Sequence, residues 1–236
     1  MSSTAVVLNP VRLRARTQLG LFFGAYLLYT AGRWVTNAQL DQATQHARWI
    51  VRQEERLGLA GEPAIQDALA GGPAIWLLSS IYLAAQLAVL PGALIYLYNR
   101  APSVYRRLRD TVLATWAIAI PVYALFPVAP PRLAGLGMAD TVSRQAAVGL
   151  TGRSTMFYNE LAAVPSLHCG FAVAIGIALA AAAQRSWTKA LALLWGPLVC
   201  LSVVATGNHY VFDIAAGLGA AVAGSLVVRA IHRVRA

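Results

Sequence analysis

Residues 189–228 read KALALLWGPLVCLSVVATGNHYVFDIAAGLGAAVAGSLVV. Two apolar blocks, each near the roughly 20 residues that a bilayer-crossing helix needs, flank a short polar stretch, TGNHY at 206–210. Such a pattern predicts two membrane spans joined by a tight polar turn. Asp213, just inside the second block, is the only acidic residue in any predicted span. Charge is expensive at membrane depth, so this residue needs a reason to be there.

The rest of the chain follows suit. Of 236 residues 58% are hydrophobic and 12% charged, about half the charged share of a soluble domain. The mean hydropathy of +0.59 agrees. Apolar residues gather into six blocks, at about 19–36, 74–98, 111–129, 161–184, 189–206 and 210–228. The predicted fold is therefore all-α: one membrane domain over 1–236, a bundle of six transmembrane helices. The first block follows the basic segment VRLRAR and is interrupted by Arg33. No small-x-small cleavage site follows it, so it reads as an uncleaved anchor rather than a signal peptide.

A net charge of +10 raises the question of nucleic acid. Its distribution excludes that partner, because the cations sit in short clusters between apolar blocks, as membrane topology requires. With the N-terminus inside, inner segments hold twelve Lys and Arg residues and the longer outer segments six. Both termini are thus predicted cytoplasmic. Cys169 and Cys200 lie within apolar blocks without metal-ligand spacing and read as small core residues.

Two outer segments are long enough to carry function. In 37–73, Ala47, Ile50 and Val51 recur at helical spacing, with Leu57 and Leu59 beyond. This predicts an amphipathic helix on the interface or capping the bundle. The second, 130–160, opens on Pro130 and Pro131 and lacks periodicity. In the last span, Ala216, Ala220 and Gly224 predict close helix packing.

Span parity brings three distant places to one outer layer: Arg132 in FPVAPPRL, Ser166 and His168 in AAVPSLHCG, and Asn208, His209 and Asp213 in ATGNHYVFD. His209 and Asp213, four apart, share a helix face. The carboxylate can hold one ring nitrogen and leave the other to attack or take a proton. Pro165 suits the first turn of a helix, whose outward N–H groups attract an anion, and Ser166 adds a hydroxyl. Arg132 supplies a planar fork for phosphate. Arg153 or Arg144 could supplement it, or could contact lipid headgroups instead. The set suits phosphoryl transfer: one histidine attacks phosphorus, the other protonates the leaving oxygen, and arginine and N–H groups hold the charge. Binding a metal with the same histidines would consume the nucleophile.

These motifs resemble those of the type 2 phosphatidic acid phosphatase superfamily. PSLH at 165–168 is similar to its PSGH motif, with Leu167 for Gly, and Ser202 to Asp213 keeps the spacing of SRxxxxxHxxxD, with Val203 for the arginine. FPVAPPRL stands where KxxxxxxRP is expected, leaving Arg132 as counterpart. ERLGL, APPRL, NELAAVPSLH and TGNHYVFD resemble the branch containing inositol phosphorylceramide synthase and bacterial relatives, over about 25–225. The resemblance implies a six-helix fold without metal or cofactor, a phosphohistidine on His209 oriented by Asp213, His168 as acid, and phosphate held by Ser166 and Arg132. Arg153 would replace the missing arginine, and Asn208 is a further phosphate-binding candidate.

The expected activity is hydrolysis of a membrane lipid phosphate, a monoester or diphosphate, at the outer face. The alternatives are transfer of a phospho-head group to an alcohol acceptor, and a non-enzymatic lipid transporter or scaffold. Composition rich in Ala and Arg points to a GC-rich bacterial genome, hence a plasma membrane with the site facing outside. The amphipathic segment around Trp49 and Ile50 is expected to border the path by which lipid enters.

Overall fold

The computed structural model describes residues 14–36, 40–70, 72–145 and 160–234; the side chains of residues 29, 31–36, 144 and 145 are also outside the description. Arg153 and the side chains of Arg144 and Arg33 therefore lie outside the described residues. Among the described residues the structure is helical, with no strand beyond one parallel bridge, Val128 to Ala162.

The first helix is α1 (Ala15–Thr36). Two helices follow where one was expected: α2 (Leu40–Leu57) and α3 (Glu62–Leu69), parted by Gly58 with φ +69°. A positive φ suits glycine, which stops α2 there. Next come α4 (Pro73–Ala84), a π-helical turn at Ala85–Val89, and α5 (Leu90–Arg100), together one long helix. The π turn has a local cause. Pro91 has no N–H for the carbonyl one turn back, and the Leu90 N–H bonds Ala85, five residues away. The chain continues through α6 (Pro102–Leu125), the short α7 (Thr141–Gln145), α8 (Leu167–Ala182), α9 (Ser186–Ala205) and α10 (Val211–Val234).

Among the described residues four helices are long and apolar enough to cross a membrane: Pro73–Arg100, Pro102–Leu125, Ser186–Ala205 and Val211–Val234. Expected spans one and four behave differently. α8 is apolar but has 16 residues, about 24 Å at 1.5 Å per residue, and α1 does not reach the same apolarity. The fourth block begins as irregular chain: residues 161–166 run to an N-cap at Ser166. α6 starts nine residues before the expected 111 because Pro102 opens the helix inside the basic cluster. It thereby gains Asp110, so Asp213 is not the only acid in a spanning helix.

Large apolar side chains face outward from the long helices, among them Leu77, Ile95, Leu191, Leu194 and Leu226. Lipid tails are as apolar as leucine, so helices gain little by hiding such residues and pack through small ones. On α10 the buried face is Asp213, Gly217, Ala220, Ala221, Gly224 and Val228. Ala220 and Gly224 of the expected stripe lie on it; Ala216 sits at its border and Gly217 joins it. A Cβ on Gly224 would stand 3.0 Å from Thr115 of α6. One on Gly217 would overlap the Ser166 carbonyl at the start of α8.

The two ends of the bundle differ. At the end where α1 begins and α10 finishes, Gln18 accepts from Tyr105 (3.1 Å) and Arg109 (2.7 Å), and Asp110 joins Arg109 (2.7 Å) and His232 (3.2 Å). At the other end α2 lies across the tops of the helices. Its buried face is Ala43, Ala47, Ile50 and Glu54, while Leu57 and Leu59 are exposed. Ile50 belongs to one buried cluster with Val128, Val164 and Tyr210. Trp49 meets Phe126 and Phe212 edge-on, and His46 stacks on Phe126 at 4.1 Å.

Candidate active site

The chain segment before α10 is a tight turn. Gly207 at φ +69° lets the backbone reverse, and the carbonyl of Val203 accepts from the N–H groups of Asn208 (3.0 Å) and His209 (3.1 Å). Val203, at the position where an arginine was expected by resemblance, is fully buried and serves the turn through its backbone. His209 thus precedes α10 instead of riding on it. Asp213 reaches back from the helix's first turn: its Oδ2 accepts from the Tyr210 N–H (2.9 Å) and lies 3.2 Å from His209 Nδ1. The pair meets across a helix start, not along a helix face.

His209 Nδ1 has a second partner, the carbonyl oxygen of Ala163 at 2.9 Å. A carbonyl only accepts, so Nδ1 carries a proton, and in the neutral tautomer this leaves the lone pair on Nε2. Ala163 belongs to the extended run ahead of α8, which the Val128 bridge holds: Val128 N–H donates to Leu161 (2.8 Å) and Ala163 N–H to Val128 (3.3 Å). Three chain segments therefore fix the ring.

His168, the second residue of α8, stacks on Tyr82 of α4 with ring centroids 4.2 Å apart. Its ring lies 5.8 Å from that of His209. Pro165 comes before the N-cap rather than in the first helical turn. Ser166 is the cap: its hydroxyl accepts from the Cys169 N–H (3.4 Å), it is fully buried, and it does not line the cavity described below. The N–H groups of Leu167 and His168 find no acceptor among the described residues, leaving two donors of the kind that hold anions.

Arg132 sits beside this turn. Its backbone N–H donates to Gly207 (3.0 Å), its guanidinium donates to Asn208 Oδ1 (2.7 Å), and Asp140 lies 3.6 Å from its Nε. Gln66 of α3 ties the same region together, donating to Ala139 and Ala205 (3.1 Å each) and accepting from the Ala139 N–H (2.7 Å).

His168, His209, Arg132 and Asn208 all border one cavity of about 440 Å³. Its remaining wall is largely apolar, with Tyr26 from α1, Leu83 and Leu90 from the long helix, Leu87 from its π turn, and Trp116 from α6. The cavity is therefore amphiphilic, polar where the histidines meet and greasy where the spans pass. The expectation that α2 borders the lipid path does not hold for this cavity. No residue of α2 lines it, because Ile50 is buried between α2 and the bundle and Trp49 packs on Phe126 and Phe212.

Sequence reasoning passed over several residues here. Gln86 lines the cavity from the π turn, and a polar residue inside an apolar block was a visible signal. Tyr82, an aromatic in an apolar block, carries no such signal. Asp140 and Glu160 also line the cavity. Only the placement of the chain between α6 and α8 shows this.

Compared with known families, residues 48–227 match the family model described as the PAP2 superfamily, well over half of the chain. No curated protein and no solved structure matches the sequence.

Proposed function

This chain belongs to the PAP2 superfamily, and from that premise we propose that it is a membrane enzyme cleaving a lipid phosphate ester through a phosphohistidine on His209. The observation that carries this reading is the bond from His209 Nδ1 to the Ala163 carbonyl. It occupies Nδ1 and leaves Nε2 as the nitrogen for attack, on a ring that lines the same cavity as His168.

In the first half-reaction Nε2 attacks phosphorus and the bond to the lipid oxygen breaks. Protonated His168 gives that oxygen its proton. Asp213 stabilises the charge that develops on His209. Arg132 and the N–H groups of Leu167 and His168 hold the equatorial oxygens, while Asn208, whose amide nitrogen donates to Thr206 and whose oxygen accepts from Arg132, orients the guanidinium. In the second half, His168 takes a proton from water, the water oxygen attacks phosphorus, and the N–P bond breaks to release phosphate. No step calls on a metal or cofactor. Ser166 contributes by starting α8, and Arg153 remains a further candidate for phosphate.

The apolar wall suits a lipid chain, which would leave the phosphate at the polar end. By the Lys and Arg asymmetry this end faces outside a bacterial plasma membrane, with both termini in the cytoplasm. A second reading, transfer to an alcohol, has its own support. Asp140 and Glu160 line the cavity beside Arg132, and carboxylates accept hydrogen bonds from hydroxyl groups rather than bind phosphate.

The test is phosphate release by the purified protein in detergent from phosphatidic acid and polyprenyl mono- and diphosphates, with and without inositol or glycerol, beside His209→Ala. His209-dependent release supports hydrolysis. A new phosphodiester formed only with alcohol moves the assignment to transfer, and full activity without His209 rejects both.

A further inference from the structure

Two buried carboxyl groups lie outside the proposed chemistry. Glu54 of α2 is 1% exposed and Glu62 of α3 is 4% exposed, and neither lines the cavity. Burying a carboxyl group is costly unless its oxygens are satisfied. Both are directed at the same target, the N-terminus of α10. Glu62 Oε1 accepts the Val211 N–H at 3.0 Å and Glu54 Oε1 accepts the Phe212 N–H at 2.6 Å.

With these two, each backbone donor from His209 to Phe212 is held: His209 by Val203, Tyr210 by Asp213, Val211 by Glu62 and Phe212 by Glu54. A helix start presents several N–H groups and partial positive charge, which carboxyl groups satisfy well. The residues so anchored stand between His209 and Asp213.

The two carboxyl groups also meet each other. Their Oε1 atoms hold the N–H groups of two successive residues, which brings the carboxyl groups together, and Glu54 Oε2 receives no donor among the described residues. Two carboxylates this close cannot both stay ionised away from water. One proton between them turns repulsion into a hydrogen bond. No cation pairs with either among the described residues. The ionisable groups acting on Glu54 are Glu62 of α3 and, around the start of α10, Asp213 and Tyr210.

We propose that Glu54 and Glu62 form a proton-sharing pair that clamps the first turn of α10, making both positioning residues for His209. The role assigned to His209 rests on the function proposed above; the clamp itself does not. Burial, and then the neighbouring Glu62, push the Glu54 carboxyl up to about 8, against the opposing pull of the Phe212 N–H. The clamp then holds at neutral pH and loosens as the shared proton is lost.

The test uses the full-length protein in detergent. Phosphate release from dioleoyl phosphatidic acid is measured beside deuterium exchange at the Val211 and Phe212 amides, on both sides of pH 8. Glu54→Ala should speed that exchange and lower kcat by about tenfold or more, with KM little changed, as for loss of a hydrogen bond to a charged group. In Glu54→Gln the amide oxygen caps Phe212 and the amide N–H replaces the shared proton. It should stay within about twofold of wild type at neutral pH and lose the increase in exchange above pH 8.

Equal damage in Glu54→Gln and Glu54→Ala overturns the clamp. So does wild-type exchange that, corrected for intrinsic rates, is the same on both sides of pH 8. Should Glu54→Ala fail to fold, the pH step in wild type and its loss in Glu54→Gln still decide. If wild type releases no His209-dependent phosphate, the functional reading falls while the exchange arm still judges the clamp.

Discussion

At the scale of single residues, His209 has two orienting partners where a catalytic triad has one. In such triads, amidation of the aspartate costs about 10⁴ in kcat because the histidine adopts the wrong tautomer. Here the Ala163 carbonyl holds the tautomer independently. Asp213→Asn should therefore lower kcat by about 10²-fold, the low end of acid–base effects. A single-turnover assay of phosphate release checks it, and a loss near the triad value would show that the carbonyl does not bias the ring. Arg132→Lys should raise KM nearly as much as Arg132→Ala, because the fork spanning Asn208 and Asp140 needs a planar guanidinium. Full recovery in the lysine variant would contradict this. The sequence disclosed His168, His209, Asp213, Arg132 and Asn208 as neighbours, since polar groups at one membrane level stand out against apolar blocks. Glu54 stayed hidden. In RQEER it reads as one of several solvated charges, although its spacing from Ala43, Ala47 and Ile50 continues the buried face.

At the scale of helices, α10 is positioned by what it lacks. Gly217 lies against the Ser166 carbonyl, so Gly217→Ala should push α10 off α8 and cost about 1–3 kcal/mol, the usual range for overpacking. A Cβ on Gly219, in the same helix, would meet nothing within 4 Å. Gly219→Ala should instead be neutral or stabilise by about 0.4–1 kcal/mol. Thermal unfolding in detergent distinguishes the two, and equal effects would remove the close-approach argument. Helix existence was legible from block length; helix ends were not. α6 runs nine residues further into the basic cluster than hydropathy suggests, and α8 waits for the Ser166 cap. Both ends are decided by backbone hydrogen bonding and proline, to which hydropathy is blind.

At the scale of the whole molecule, the bundle has one end, where α1 begins and α10 finishes, tied by Gln18, Arg109, Asp110 and His232, and a site end roofed by α2. If positive charge sets orientation, a reporter active only in the cytoplasm should work when fused after Ala236; activity only of an export-dependent reporter would invert the topology. Stability should also respond to pH through Glu54. Its folded value is raised from 4.5 to about 8, so its contribution is complete below pH 4.5, shrinks as pH rises and is gone above about 8. The thermal midpoint of wild type should fall across that window, and that of Glu54→Gln should fall less. Parity of spans predicted which segments share an end, because each crossing reverses the chain. It could not predict that α2 would lie across that end as a lid on the helix starts, since an amphipathic pattern does not name what it covers.

The carbonyl that orients His209 has no codon of its own. Any residue small enough for position 163 presents the same oxygen, so heredity can change the side chain there without touching the contact. A mutational scan would then register Asp213 and pass over its partner, and aligned relatives could differ at 163 while sharing the same mechanism. Part of this site is inherited as backbone shape, carried by whichever substitutions preserve the run from 161 to 166.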